Sequence, residues 1–174
     1  REIRARLPEC SVEVLTPDFK GDEEALATVL AARPAILGHN LETVARLHPE
    51  VGPGGRYWRS ISLLGAAKRI NRGVLTKTGI ILGMGERESE IREAMRDLRK
   101  ASVDILTLGQ YLRPSMAHIP VARWVTPEEF RSWKRIGEDK FGFRHVESGP
   151  LVRSSYHAKE QAKGVRAGDP GEMQ

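Results

Sequence analysis

Apolar residues recur along this chain in two periods, and the two alternate. Residues 11–16 (SVEVLT) put Val12, Val14 and Thr16 on one side and Glu13 and Leu15 on the other, the two-residue rhythm of a half-buried strand. After a loop containing Pro17 and Gly21, Asp22 stands as a helix N-cap, with Glu23 and Glu24 in the first turn, where carboxylates suit the helix dipole. Leu26, Val29 and Leu30 form the buried stripe of that helix, and Pro34 ends it. Residues 35–38 read as a short apolar strand, followed by the polar run His39-Asn40-Leu41-Glu42-Thr43. A glycine-rich loop at 52–55 precedes a helix over 57–70, with Trp58, Ile61, Leu64 and Ala67 expected on its buried face. Residues 74–82 predict a strongly apolar strand that runs into the turn Gly83-Met84-Gly85-Glu86. Over 89–101, Ile91, Ala94, Met95 and Leu98 fall at i, i+3, i+4 and i+7 and predict an amphipathic helix. A strand over 103–108 and an irregular stretch over 109–125 follow. Thr126-Pro127-Glu128-Glu129 opens a helix reaching about residue 140, and residues 143–146 read as a last strand. The tail 164–174 has no apolar period and is expected to be mobile.

Strand, loop and helix thus repeat four times at intervals of 25 to 40 residues, which predicts parallel β/α units rather than a meander. A (β/α) barrel and a doubly wound sheet both satisfy the pattern, and in both the function sits at the C-terminal ends of the strands. Attention therefore falls on PDFKG, HNLET, GMGE and GQYLRPS, each directly after a strand.

Composition narrows the chemistry. The 174 residues, 40% hydrophobic, suffice for one domain with a sizeable core. The 28 basic and 23 acidic residues are spread along the chain, so the net +5 reads as a solvated surface rather than a nucleic-acid footprint. No apolar run approaches the roughly 18–20 residues of a membrane span, and no secretory apolar region opens the chain. One cysteine, Cys10, excludes an internal disulfide, a zinc finger and a self-contained three-cysteine iron–sulfur motif. The five histidines show no zinc spacing. The first residue is Arg1 rather than Met, and the expectation is a piece of a longer protein.

Asn40 and Glu42 suit the hydroxyls of a ribose, or else cap the following helix. In GIILGMGE, the terminal glycines Gly83 and Gly85 let the backbone approach a flat ligand and Ile81 packs on an adenine ring, or else the segment is a buried strand with a tight turn. The segment is not a dinucleotide fingerprint, because the third glycine is missing. Gln110 and Tyr111 place an amide and a phenol after a strand, where a satisfied buried polar pair is the alternative. Lys77, inside an apolar strand, is read as an anion contact in preference to a snorkelling surface lysine. Ser154 or Ser155 with His157 makes a weak nucleophile–base pair, because adjacent positions rarely build a triad.

These segments carry a resemblance. VLTPDFKG, HNLETV, LTKTGIILGMGE, VDILTLGQYLRPS, VTPEEF, GFRHVESGP and LVRSSYHA run in the order found in the C-terminal half of the lipoyl synthase family, over roughly residues 13–161. TLGQYL together with PLVRSSYHA is specific to it. The resemblance implies an α/β fold, a partial (β/α)6 radical S-adenosylmethionine (SAM) TIM-like barrel. About strands three to six would lie here, as residues 1–147, with a cluster-ligand segment over 148–163 and the tail over 164–174. It implies two [4Fe-4S] clusters and SAM, and a reaction that inserts two sulfurs at C6 and C8 of a protein-bound octanoyl chain. Partners implied are octanoylated lipoyl carrier domains, either a 2-oxoacid dehydrogenase component or a glycine-cleavage H protein, and a ferredoxin or flavodoxin electron donor. The implied location is cytoplasmic, or mitochondrial or plastid in a eukaryote. By resemblance Ser155 ligates the auxiliary cluster and Arg153 supports it. Gly79, Ile81, Gly83 and Glu86 match the adenine-side GxIxGxxE pattern. Asn40 and Glu42 match ribose or methionine contacts, Gln110 and Leu112 the adenine side, and Lys77 meets a carboxylate. Gly38 and Arg113 depart from the Asn and Gln commoner in the family, and both of its cysteine motifs lie outside this sequence, which would leave the chain inactive alone. A binding module without catalysis and another radical-SAM enzyme are the alternatives.

Overall fold

Five short strands lie side by side in chain order in the computed structural model, which describes residues 2–51 and 56–154. They are β1 (Glu13–Leu15), β2 (Ile36–Gly38), β3 (Leu75–Leu82), β4 (Ile105–Gln110) and β5 (His145–Ser148), and every neighbouring pair is parallel. Helix α1 (Glu2–Arg6) precedes the sheet. The connections carry α2 (Glu23–Leu30), α3 (His48–Val51), α4 (Tyr57–Ile70), α5 (Glu88–Lys100) and α6 (Pro127–Arg135). Four strand–helix units are therefore present, and β5 is the last strand expected over 143–146, placed two residues later. Its place has a reason: without it the outer edge of the fully buried β4 would have no backbone partner.

Alternation within the strands separates two faces. Leu37, Ile80, Leu82, Leu106, Leu108 and Val146 point toward the helices and form the core with Leu26, Leu64, Ile91, Met95, Leu98, Phe130 and Trp133. The intervening residues, among them Glu13, Ile36, Lys77, Gly79, Ile105 and Thr107, make the inner face. The helix starts follow the sequence closely. The Asp22 carboxylate accepts from the Glu24 and Ala25 N–H groups at 2.9 and 3.1 Å. The Thr126 hydroxyl accepts from the Glu129 N–H at 3.2 Å, with Pro127 in the first turn.

Three expectations need correction. Trp58 is 62% exposed; Tyr57, Ile61, Leu63, Leu64 and Ala67 bury the inward side of α4 instead. Strand β4 begins two residues late and runs through Gln110, because Asp104 is used at its start: its carboxylate accepts from the Thr76 N–H at 2.9 Å and pairs with Lys68 and Arg144. The helix over 126–140 divides into α6 and a π-helical turn, Ile136–Lys140, where the Phe141 N–H reaches back to the Ile136 carbonyl. Gly137 lies in that turn, and a Cβ there would meet the Val146 side chain at 2.8 Å, so this wider turn sits directly on β5. The expected loop at 52–55 and the tail 164–174 lie outside the described residues, as do 155–163. Among the described residues no helix is long and apolar enough to cross a membrane.

Candidate functional site

At the C-terminal end of β2 the run HNLET continues the sheet without being a strand. The His39 N–H donates to the Lys77 carbonyl, the Leu41 N–H to the Thr78 hydroxyl, and the Glu42 N–H to the Gly79 carbonyl. Glu42 holds a left-handed backbone, φ 67°, and its carbonyl accepts from the Ile81 N–H. Leu41 is buried among the helices, so by alternation Asn40 and Glu42 fall on the inner face. Two histidines fix this stretch. The His39 Nδ1 lies 2.9 Å from the Thr16 carbonyl, which can only accept, so that nitrogen carries the proton, and Nε2 faces the Ser60 hydroxyl at 2.8 Å. The His48 Nε2 donates to the Leu41 carbonyl at 2.7 Å by the same logic.

The glycine turn after β3 is closed by its own acid. The Glu86 carboxylate accepts from the Gly83 and Met84 N–H groups at 2.7 and 2.9 Å, with Arg123 at 3.9 Å. Both oxygens are occupied, so Glu86 shapes the turn from within. Gly83 is required by its φ of 105° and by crowding, since a Cβ would meet the Gln110 amide and the Arg123 carbonyl. Gln110 is equally committed. Its Oε1 accepts from the Val125 N–H at 2.9 Å, and its Nε2 donates to the Tyr111 and Arg123 carbonyls. It fastens the irregular stretch 111–125 against the turn. Arg123 in turn grips Glu129 through two bonds of 2.7 and 2.8 Å, which hold the Glu129 carboxyl below its usual range despite partial burial. Leu112 is half exposed and does not line the cavity described next.

A cavity of about 80 Å³ opens on the inner face between Asn40, Glu42, Gly79, Thr107, Gly109 and Arg153. Ile80, Ile81, Val152 and Ser154 complete its wall. Its roof is the chain after β5, which crosses back over β4: the Gly149 N–H donates to the Leu108 carbonyl, and the Gln110 N–H faces the Pro150 carbonyl at 3.4 Å. Gly109 makes that crossing possible, because a Cβ there would sit 2.3 Å from the Val152 carbonyl oxygen. Gly79 clears the floor, where a Cβ would meet the Thr107 hydroxyl at 2.9 Å and the Asn40 amide oxygen at 3.2 Å. The structure therefore gathers Asn40, Glu42, Gly79, Ile81 and Arg153, and adds Thr107 and Gly109, which the sequence reading passed over. Their only sequence signal was their place at the end of an apolar strand.

Lys77 lies deeper on the inner face and is 2% exposed. Its ammonium meets the Glu13 carboxylate of β1 at 2.8 Å, two strands away. Gly38 stands in register beside Lys77 on the intervening strand β2. The carboxylate that Lys77 meets is therefore one of this chain's own. Ser155 lies outside the described residues. Among the described residues no group of three or more His, Cys, Asp or Glu is placed to hold a metal ion, and Cys10 is exposed and free.

No family model matches the chain. Curated relatives do. The chain is 57% identical to "Lipoyl synthase" of Rubrobacter xylanophilus over 171 residues, which is 98% of this chain and 53% of that protein. It is 56% identical to the protein of the same name from Koribacter versatilis over 165 residues, 95% of this chain and 54% of that protein. Against the Thermus thermophilus lipoyl synthase the identity is 55% over 159 residues, 91% of this chain and 49% of that protein. The chain spans about half the length of the curated relatives it matches, and over that span it is similar to lipoyl synthases.

Proposed function

We propose that this chain forms part of a lipoyl synthase, the enzyme that inserts two sulfurs at C6 and C8 of a protein-bound octanoyl chain, and that the cavity beneath residues 149–154 receives part of SAM. The similarity over nearly the whole chain supports the family's activity. The observation that carries the cavity's role is its donor set, at the end of a parallel sheet where α/β proteins bind ligands. The Asn40 amide both donates and accepts, the Glu42 carboxylate accepts from sugar or ammonium hydrogens, and the Arg153 guanidinium suits a carboxylate. Gly79 keeps a side chain off the cavity floor. A site of about 80 Å³ takes one end of such a ligand, since complete pockets for molecules of that size run to roughly 300–1,000 Å³. When bound, SAM would supply the radical chemistry that an unactivated C–H bond demands and that no acid or base here can provide.

The residues do not fit an iron–sulfur cluster. Each takes about four ligands, mostly thiolates, and this chain has Cys10 alone. The clusters are assigned to the rest of the protein, with Ser155 proposed to lend one ligand and Arg153 to stand beside it. The 174 residues alone are accordingly proposed to be inactive. Octanoylated lipoyl carrier domains, a ferredoxin or flavodoxin donor and a cytoplasmic or organellar setting complete the proposal.

Calorimetric titration of the full-length protein with SAM tests it. Asn40→Ala and Glu42→Ala each leave ligand polar groups unmatched, at a cost of about 1–3 kcal/mol, or roughly 5- to 150-fold in Kd. Unchanged affinity in both variants, with undiminished lipoyl formation, overturns the assignment.

A further inference from the structure

A second cavity lies away from the strand ends. It is an open groove of about 1180 Å³ between α4 and the end of α5, on the helical side of the sheet. It lies beside Ser102, Asp104 and Arg144, which precede β4 and β5, so the length of a strand separates it from the cavity under residues 149–154. Its floor is Gly65 against Ala101, whose Cβ would lie 3.7 Å from one placed on Gly65.

Two independent features set this groove apart. The first is charge: six basic side chains line it against three carboxylates. All three carboxylates are already engaged within the fold. Asp104 holds Lys68, Arg144 and the Thr76 N–H, and Asp97 accepts from the Tyr57 hydroxyl at 3.1 Å and pairs with Lys100 at 3.4 Å. Arg69 reaches Glu23, while Arg72 is exposed and has no ion-pair partner among the described residues. Basic residues in the last turns of α4 and α5 also offset the negative helix ends, but Arg72 and Arg144 lie outside both helices. The second feature is Trp58. Helical spacing assigned it to the core, yet it stands 62% exposed at the rim of the groove, propped edge-on by Tyr57 at 5.0 Å. The fold gives an indole no reason to be there. Tryptophan and arginine together are the residues that anchor protein–protein contacts.

We propose that this groove docks an acidic segment of a partner protein, with Trp58 packing on an apolar side chain and Arg72, Arg69 and Lys100 meeting carboxylates. An open trough larger than an ordinary small-molecule pocket favours a protein segment over a compact anion.

The test uses the full-length protein and a fluorescein-labelled helical peptide of alternating Glu-rich and Leu-containing turns, followed by anisotropy. Binding is expected at low salt, at least tenfold weaker at 0.5 M salt, and at least tenfold weaker for Arg72→Glu and for Trp58→Ala. Both positions are exposed, and unchanged thermal melts confirm that the variants fold. A Lys-rich peptide of the same length should not bind. Equal affinity of wild type and both variants overturns the proposal. So does inorganic tripolyphosphate displacing the peptide with an affinity that Trp58→Ala leaves intact, which would mark a simple anion site.

Discussion

Lys77, read from the sequence as an anion contact, meets a carboxylate of its own chain. A lysine inside an apolar strand needs a partner, and the partner is Glu13, 2.8 Å away on the inner face. Removing one member of a buried pair strands the other charge, at a cost of about 3–5 kcal/mol, whereas replacing both can be close to neutral. Glu13 keeps 23% of its side chain exposed, so the cost of Lys77→Met should fall toward the low end of that range. Chemical denaturation is expected to show a clear loss for Lys77→Met and recovery of most of it in Lys77→Met with Glu13→Leu. A double variant no better than the single one would detach the two residues from each other. The recovered double variant also asks whether Lys77 touches ligand: SAM affinity should survive in it if the pair is structural.

Elements were legible where local chemistry decided them. The caps Asp22 and Thr126 and the stripe Ile91, Ala94, Met95 and Leu98 predicted the starts of α2, α6 and α5 to within a residue. What escaped was set across the sheet: the late start of β4, held by Asp104, the π turn over β5, and the roof over Gly109. None leaves a periodic mark, because each depends on contacts between different elements of the fold. The same holds for the junction at the start of α5. There Glu90 accepts from the Arg87 N–H and takes Arg46 through two bonds of 2.7 and 3.0 Å, while Arg46 also donates to the Gly85 carbonyl at 2.8 Å. The Arg46 hydrogen bond pulls the Glu90 carboxyl from its ordinary 4.5 down to about 2. A depressed carboxyl stabilises the fold above its ordinary pKa and loses that contribution as pH falls through the folded value. The stability this junction adds should therefore be complete above about pH 4.5 and disappear toward pH 2. Glu90→Gln should be less stable than the parent at pH 7 and converge with it on acidification. Denaturant midpoints measured from pH 7 to pH 2.5 check this, and a gap that stays constant would place the effect elsewhere.

At the scale of the molecule, the sheet is unequal at its two edges. β5 is covered from outside, its Val146 N–H donating to the Glu138 carboxylate and its Ser148 hydroxyl to the Phe130 carbonyl, whereas β1 is three residues long and pairs only with β2 among the described residues. Leu15 at its end is 59% exposed although it shares the inner face with Gly79 and Thr107. An edge of unpaired N–H and C=O groups beside a bare leucine is a template for another strand. A chain that spans about half of its relatives' length offers that edge to whatever meets it first. The 174 residues on their own should therefore associate as concentration rises, through β1. Light scattering coupled to size exclusion is expected to show mass climbing between about 5 and 200 µM. Leu15→Lys, which sets a charge on the edge, should hold the chain closer to its monomer mass of 19.4 kDa. The full-length protein should show no such dependence on Leu15 if its remaining residues cover β1. A strictly monomeric chain that melts in one transition, as hot as the full-length protein, would mean that β1 is a finished edge and that the half-length unit is a domain in its own right.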